Sequence, residues 1–454
     1  MPVNDLINAA SVAKVSEGFQ LIKQNNLLNK CFLHKSNPFD NITTLPGEII
    51  KNHGKNNLTS DNVKEFMAAS TLVHCMDGWT YLSNSVNAFL NGDLSIAIHL
   101  AYYAELRAAI SFLASEGIII ANMQQVCVSS SDGLYIPGTP PNKSLLRKKT
   151  HEATWDIIEA WNNNIYKGTY TLDYFSYKGM TFKELLNYVP HASSTPAARL
   201  IVMKDWLKSW SFDIKKYKDD KSVRNSSSYN PHFNRNYSPI SPTERLKSIN
   251  NFWKSLDPSI SAFNNIDVYL FSAYLSKTYD NYIQTISNKT IAIDKQTFIE
   301  KFFLQSGLTN DSILTDIFVH NKESDLIKYA KIESIDWTTG DVNPLSIIAR
   351  SVLLLRFATG ACSFQLKSHN ITKADLDFYI DELGRELGIW DITKPVDFKD
   401  LWEDIYLLSE YFGEYLDLSS SSSLFKIRNE LAEYNNCFYA YTQFTRASLW
   451  GLEL

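Results

Sequence analysis

Apolar residues recur at helical spacing through most of the chain, and the pattern is strongest between residues 93 and 117. In this segment, DLSIAIHLAYYAELRAAISFLASEG, the apolar positions lie three, four or seven residues apart: Ile96, Leu100, Tyr103, Ile110 and Leu113. Asp93 can cap the first turn, and Gly117 is placed to end the last one. The pattern therefore predicts one long helix.

The segments on either side of this helix carry different patterns. Residues 61–92 predict two shorter helices that are divided at Asp77-Gly78. Residues 118–137 contain two short apolar runs on either side of Asp132-Gly133, a dipeptide typical of tight turns. They predict a small β-hairpin inserted among the helices.

A polar segment, SVRNSSSYNPH at residues 222–232, follows a predicted helix over residues 196–217. The next predicted helix begins with the capping-box pair Ser241 and Glu244. The Ser and Asn content of residues 222–232 predicts that this segment is a polar loop between the two helices. The Asn-Pro step near its end disfavours helical backbone, so any helix that enters the segment should end near Tyr229.

The predicted fold class is mainly α: a helical bundle with a small inserted β-hairpin, followed by a second helical domain. We expect residues 1–58 to form an N-terminal extension, residues 59–256 a helical domain with the hairpin near 118–137, and residues 257–454 a C-terminal helical domain. In the C-terminal domain, LWEDIYLLSEYFGEYLDL places apolar residues on one helical stripe and acids on the other faces. We therefore expect that domain to bind a protein partner rather than phosphate.

Composition narrows the class of protein. Of the 454 residues, 44% are hydrophobic and 13% aromatic, which is enough for a substantial globular core. The five cysteines occur singly, and the first residues lack the basic and apolar parts of a secretory signal. The most apolar helix contains His99, Glu105, Arg107 and Glu116, which are costly in lipid. We expect a cytoplasmic protein with no membrane partner.

Charge is unevenly distributed along the chain. The formal net charge is −5, yet residues 204–254 contain eleven Lys and Arg against five Asp and Glu. A basic stretch of this kind can attract phosphate groups. A solvated helix end would also account for its DIKKYKDDK run.

Several familiar catalytic signatures are absent from the sequence: the Walker loop, the dinucleotide-binding glycine pattern, HExxH and the nucleophile elbow. We expect no metal and no cofactor. His74, His99 and His191 each stand alone in predicted structural surroundings, which favours hydrogen-bonded structural roles for all three.

The polar segment 222–232 combines residue types that suit phosphate chemistry. Arg224 keeps its charge at neutral pH and offers a planar fork that matches phosphate oxygens. His232 titrates near neutrality and can transfer a proton, and Asn225 can add a neutral hydrogen bond. The same composition also suits a polar interhelical loop whose arginine pairs with a carboxylate.

Two pieces of the sequence resemble the HEPN superfamily of helical proteins. LAYYAELRAAISFLASEGI is similar to the Tyr-rich and Ala-rich core helix of many members, and RNSSSYNPH resembles their signature of arginine, polar residue and histidine. The resemblance lies within residues 60–256. Many members are metal-independent ribonucleases of bacterial defence, toxin and RNA-processing systems, and they commonly dimerise so that two motifs share one cleft.

The resemblance implies a role for each residue of the motif. Arg224 would bind phosphate, His232 would act in acid/base chemistry, and Asn225 would fill the polar position. Seven residues separate Arg224 from His232, where the family usually has four to six. On a continuous helix such a step rises ~12 Å, so both side chains can reach one phosphate only if the chain bends.

The sequence thus supports two hypotheses. In the first, the protein is a metal-independent endoribonuclease, acting as a homodimer in a bacterial antiphage defence or toxin module, with Tyr229, Lys221 and Arg235 adding contacts to RNA. In the second, it is a non-catalytic helical protein that binds nucleic acid or a protein partner through the same basic region.

Overall fold

The computed structural model describes residues 2–25, 30–136, 149–164, 168–190, 196–210, 212–229, 237, 240–260, 262–286, 292–418, 423, 426–427 and 435–454. The predicted class is confirmed, because helices make up most of the described chain and the strands form two small sheets. The helices of the first half are α1 Pro2–Ala9, α2 Val12–Gln24, α3 Pro46–Lys51, α4 Ser60–Leu90, α5 Leu94–Ser115, α6 Thr150–Asn163, α7 Phe182–Leu185, α8 Pro196–Ser209 and α9 Ile214–Tyr229.

The helices of the second half are α10 Pro242–Ser255, α11 Asn264–Thr285, α12 Lys295–Ser306, α13 Ser312–His320, α14 Asp325–Lys331, α15 Pro344–Ser368, α16 Asp377–Glu386, α17 Leu401–Leu418, α18 Asn435–Thr442 and α19 Thr445–Gly451. Short 3₁₀ turns lie at Pro38–Asp40, Gly168–Tyr174, Leu186–Tyr188, Lys373–Leu376 and Phe398–Asp400. The strands are β1 Ile118–Ala121, β2 Gln124–Val128, β3 Leu134–Tyr135, β4 Ser176–Tyr177 and β5 Met180–Thr181.

The centre of the fold is formed by α4, α5 and α15, which pack on one another. The predicted break at Asp77-Gly78 is wrong, because α4 continues through both residues. A glycine inside a helix costs about 1 kcal/mol relative to alanine. Here it allows a close approach of α15, since a Cβ at Gly78 would lie 2.6 Å from Leu355 Cδ2. Tertiary packing therefore outweighs the local preference.

Helix α15 comes from the predicted C-terminal domain, yet it packs against α4 and α5 of the predicted N-terminal one. Nearly all of its residues are buried, and the buried apolar residues of both halves belong to one cluster. The two halves of the sequence therefore share a hydrophobic core. The predicted division into domains of residues 59–256 and 257–454 stays a prediction.

The inserted β element has three strands where the sequence predicted a two-stranded hairpin. β1 pairs antiparallel with β2, with Ile118 opposite Cys127, and β2 pairs antiparallel with β3. The turn at Asp132-Gly133 joins β2 to β3. The missed turn follows β1 at Asn122, whose φ of 51° is a left-handed conformation that asparagine tolerates well.

The polar segment 222–232 also differs from its prediction, because its first eight residues are helical. The predicted single helix over 196–217 is instead α8 and α9, and α9 extends to Tyr229. Val223 and Ser227 are buried one turn apart, and the Ser227 hydroxyl donates to the Val223 carbonyl oxygen at 3.0 Å. Burial of this face holds a serine-rich sequence in a helix. The described part of α9 reaches Tyr229, and the residues at which the sequence predicted its end, Asn230 and Pro231, lie outside the described residues.

Within the described part of the chain, two helices, Leu94–Ser115 and Pro344–Ser368, are long and apolar enough to span a membrane by length and composition. They are α5 and α15 at the centre of the fold. In their most apolar windows, 72% and 100% of the residues are buried inside the protein. Core packing accounts for this apolar character.

Candidate functional site

Arg224 lies near the C-terminal end of α9, where that helix packs on α5 and α6. Its guanidinium carbon is 5.1 Å from the ring centroid of Tyr102 and 5.2 Å from that of Tyr103. Its Nη2 donates to Nδ1 of His151 at 3.3 Å, and its buried Nε has no hydrogen-bond partner among the residues that the structure describes. Two aromatic rings and a neutral imidazole therefore surround the cation.

The charge of Arg224 is not neutralised by a carboxylate within the part of the chain that the structure describes. Other arginines behave differently: Arg350 and Arg356 are fully paired with Asp220 and Asp267 at 2.6 and 2.7 Å. The interpretation of Arg224 as a residue that pairs with a carboxylate thus finds no support among the described residues. An unpaired, half-buried guanidinium is a favourable place for an anion.

A chain of hydrogen bonds sets the tautomer of His151. The indole Nε1 of Trp155 donates to the Tyr102 hydroxyl oxygen at 3.3 Å, and that hydroxyl lies 3.1 Å from His151 Nδ1. Burial raises the pKa of Tyr102, so the hydroxyl keeps its proton and donates it to Nδ1. Arg224 Nη2 lies 3.3 Å from Nδ1 and 3.5 Å from Nε2, so the Tyr102 contact decides between the two ring nitrogens. On that contact we assign the proton of neutral His151 to Nε2.

His99 has the opposite tautomer. The Ser228 hydroxyl donates its one proton to the Arg224 carbonyl oxygen at 3.0 Å, as serine often does four residues along a helix. Ser228 Oγ also lies 2.7 Å from His99 Nδ1. When the hydroxyl proton is directed at the Arg224 carbonyl, Ser228 Oγ accepts from Nδ1–H, and we assign this tautomer to neutral His99. This arrangement leaves Nε2 of neutral His99 with a free lone pair.

Both imidazoles are neutral near pH 7. Burial, with the nearby charges of Arg224 and Lys221, lowers the pKa of His151 to about 4. Burial and Arg224 also lower the pKa of His99. Both rings lie against Tyr103, with centroid distances of 4.9 Å for His99 and 5.8 Å for His151. We call Arg224, His99, His151, Tyr102 and Tyr103 the Arg224 site.

The Arg224 site combines three chemical capacities. The guanidinium can hold a phosphate, Nε2 of His99 can accept a proton, and Nε2–H of His151 can donate a hydrogen bond. These are the groups that transesterification of a phosphodiester requires when no metal takes part. Among the described residues, no group of three or more His, Cys, Asp or Glu side chains is arranged to hold a metal ion.

The structure brings only part of the predicted site together. Asn225 follows Arg224 on α9 and is half-buried, and no hydrogen bond among the described residues involves its side chain. Lys221 lies one turn before Arg224 and forms an ion pair with Glu152 at 3.2 Å. Tyr229 is the last residue of α9, and its side chain lies outside the described part of the structure.

His232 and Arg235 lie outside the described residues. Their predicted roles in catalysis and RNA binding stay predictions.

Sequence reasoning missed His151 and favoured a structural role for His99. For His99 a signal existed, because His99, Tyr103 and Arg107 recur every four residues and so share one face of α5. For His151 no local signal existed. It lies at the start of α6, far from Arg224 in sequence, and only the packing of α6 on α5 and α9 brings it to the site.

A buried group of charges lies beneath the Arg224 site. Arg350 on α15 makes two hydrogen bonds to the Asp220 carboxylate on α9, at 2.7 and 2.6 Å. Glu105 of α5 is fully buried, and its Oε1 lies 3.9 Å from Arg350 Nε. Burial and the neighbouring Asp220 raise the pKa of Glu105 well above its usual value. Neither carboxyl oxygen of Glu105 has a hydrogen-bond partner among the described residues, which favours the neutral form further. With Glu105 protonated, the group joins α5, α9 and α15 with one negative and one positive charge.

Comparison with known proteins does not place the chain in a family. No model of a known protein family matches it, and no curated protein or solved structure is significantly similar.

Proposed function

We propose that the protein is a metal-independent endoribonuclease of HEPN type. The observation that carries this proposal is the position of Arg224: a guanidinium without a carboxylate partner among the described residues, between two tyrosine rings and beside two neutral histidines. The two supporting sequence features are the Tyr-rich helix and the arginine motif. On this proposal the natural anion at Arg224 is a phosphodiester of RNA.

The proposed reaction uses the 2′-hydroxyl of the RNA as nucleophile. Nε2 of His99 accepts the proton of this hydroxyl, and the 2′-oxygen forms a bond to phosphorus. The bond from phosphorus to the 5′-oxygen breaks, and the leaving oxygen takes up a proton from water. Arg224 and Nε2–H of His151 stabilise the negative charge on the phosphoryl oxygens. The products are a 2′,3′-cyclic phosphate and a 5′-hydroxyl end.

The proposal is tested by incubating the purified protein with mixed RNA in EDTA and identifying the new ends. We expect 2′,3′-cyclic phosphate or 3′-phosphate ends. Arg224→Ala should reduce both RNA binding and cleavage. Arg224→Lys should restore only part of each, because an ammonium group keeps the charge but not the planar fork.

Three histidine variants assign the proton transfer. The general base should lose ~10²- to 10⁴-fold in rate when it is changed to alanine, with nearly unchanged RNA binding. We expect His99→Ala to show this loss. The sequence motif instead favours His232 as the base. The cleavage rates of His232→Ala and His151→Ala are therefore compared with that of His99→Ala. His320→Ala, on an exposed helix end, is the control. Wild-type cleavage by all three site variants would contradict the proposed chemistry.

The alternative is a non-catalytic protein that binds nucleic acid or a protein partner. It is favoured by the basic character of residues 204–254, since a charged surface needs no reacting groups. RNA binding that weakens in Arg224→Ala, together with intact RNA even in cells that express the protein under infection, would support this alternative. Expression in infected cells matters because a defence effector can require an activator.

The HEPN resemblance also favours a cytoplasmic homodimer that acts in an antiphage defence or toxin module. Its C-terminal half would contact a protein partner. Light scattering tests the dimer directly, and a monomer at micromolar concentration would count against a shared cleft.

A further inference from the structure

Beyond its first two turns, helix α5 has solvent-accessible side chains at two positions. Between Ala101 and Ser115, all of which are described, Tyr103 and Arg107 are the residues that are not buried. They lie four residues apart, so they share one face and are separated by ~6 Å along the helix axis. Tyr103 belongs to the Arg224 site. Arg107 lies one turn farther from it.

Tyr81 of α4 joins these two residues into a continuous surface. Its ring stacks on that of Tyr103, with a centroid distance of 5.5 Å and an interplanar angle of 25°. The guanidinium carbon of Arg107 lies 6.0 Å from the Tyr81 ring centroid. We call Tyr81, Tyr103 and Arg107 the stacking strip. It continues the Arg224 site with a second cation and a second half-buried ring.

The charge of Arg107 is only partly compensated. Its Nη1 donates to His74 Nδ1 at 3.0 Å, and burial together with Arg107 lowers the pKa of His74 to about 3, so that partner is neutral. Asp77 lies 3.8 Å from Arg107 Nε, which is beyond good hydrogen-bond distance. Burial also raises the pKa of Asp77. No hydrogen bond among the described residues involves Nη2, and the side chain is 31% exposed.

We propose that the stacking strip is a binding subsite for single-stranded RNA, in which a base packs on the Tyr81 ring and a phosphate next to the cleaved one binds Arg107. This inference rests on the proposed function. Tyrosine rings bind bases of any sequence through stacking, and arginine supplies the charge for the backbone. A single strand is favoured over a duplex, because bases inside a duplex do not expose their faces to side chains.

The proposal is tested by fluorescence anisotropy at fixed salt, with a fluorescein-labelled 2′-O-methyl RNA of twelve nucleotides. This probe lacks the nucleophilic hydroxyl, so binding is measured without cleavage. Loss of a stacking ring should weaken affinity roughly 5- to 150-fold. We expect this loss for Tyr81→Leu, whereas Tyr81→Phe should bind nearly as well as the wild type.

Arg107→Gln tests the phosphate contact. Log affinity falls as log salt concentration rises, and loss of one phosphate contact to a single strand should make this negative slope shallower by about 0.7. Matched controls are Tyr406→Leu and Arg385→Gln, which change an exposed tyrosine and an exposed arginine elsewhere on the protein. Both controls should bind like the wild type.

The outcomes separate the subsite from the proposed function. If Arg224→Ala weakens binding but Tyr81→Leu and Arg107→Gln do not, RNA binds at Arg224 and the subsite is wrong. If the wild-type protein does not bind the probe, both the subsite and the RNA function are wrong. Equal losses in Tyr81→Phe and Tyr81→Leu would also overturn the subsite, because the ring would then not be what the RNA contacts.

Discussion

The protonation states and tautomers of His99 and His151 determine which chemistry the Arg224 site can carry out. Burial, together with the same guanidinium that attracts phosphate, lowers the pKa of both neighbouring histidines, so the site holds two neutral imidazoles. Their tautomers differ because Ser228 accepts from His99 Nδ1, whereas Tyr102 donates to His151 Nδ1. A base and a hydrogen-bond donor are thus available near one cation.

Ser228→Ala tests the assigned tautomer of His99. Without the serine oxygen, Nδ1–H loses its acceptor and the proton can move to Nε2, which removes the free lone pair. We expect kcat to fall by less than the ~10²- to 10⁴-fold cost of losing a general base, with KM unchanged. Ser226→Ala, at an exposed position two residues earlier on α9, is the control. An equal effect of both variants would point to helix stability instead.

The pH dependence of cleavage provides a second test at this scale. Burial and Arg224 lower the pKa of His99, so its deprotonated, basic form is already present below the usual value of 6.5. We expect kcat/KM to rise with pH, with the midpoint of the rising limb below pH 6.5. In Arg224→Gln the electrostatic part of the shift is lost, so the rising limb should move to higher pH. A wild-type limb centred above pH 6.5 would argue against His99.

At the scale of elements, the buried group of Glu105, Asp220 and Arg350 explains how α9 keeps its position. Asp220 lies four residues before Arg224 and therefore on the same side of α9. Its ion pair with Arg350 anchors that side to α15. A serine-rich segment with little helix propensity is thereby held as a helix, and Arg224 is directed toward α5. Propensity predicted a loop here, because the anchoring partner is more than a hundred residues away in sequence.

Glu105→Gln tests whether Glu105 carries a proton in the folded state. Its pKa is raised on folding, so the folded protein holds more protons than the unfolded chain between pH 4.5 and the folded pKa. Wild-type stability should therefore fall as pH rises through that window. Glutamine resembles the protonated acid in shape, so the stability of the variant should not fall as the pH rises through this window. The variant should be at least as stable as the wild type at pH 8.

Thermal or urea unfolding between pH 5 and 9 measures this difference. Glu382→Gln, at an exposed position, should keep the wild-type pH dependence. Removal of Asp220 instead leaves Arg350 unpaired in the core and should cost ~3–5 kcal/mol. A Glu105→Gln protein that unfolds with the wild-type pH dependence would show that Glu105 is ionised.

At the scale of the whole molecule, sequence patterns predicted the class of the fold and the strongest helix. Helical periodicity with a cap at Asp93 and a left-handed Gly117 gave α5 nearly residue by residue. The pattern could not show that α15 packs between helices of the first half, because an apolar helix does not specify its partner. For the same reason His151 and Arg224 could not be joined from the sequence, and the site emerged only from the packing of α5, α6 and α9.

The shared core also predicts how the protein unfolds. Helix α15 is buried against α4 and α5, so separating the two halves would expose apolar faces on both. We expect one cooperative thermal transition in calorimetry, with the calorimetric enthalpy equal to the van't Hoff enthalpy. We also expect a fragment of residues 59–256 to lack cooperative unfolding and to bind a hydrophobic dye. Two separate transitions in the full chain, one of them reproduced by this fragment, would instead establish two independent domains and support the predicted division between residues 256 and 257.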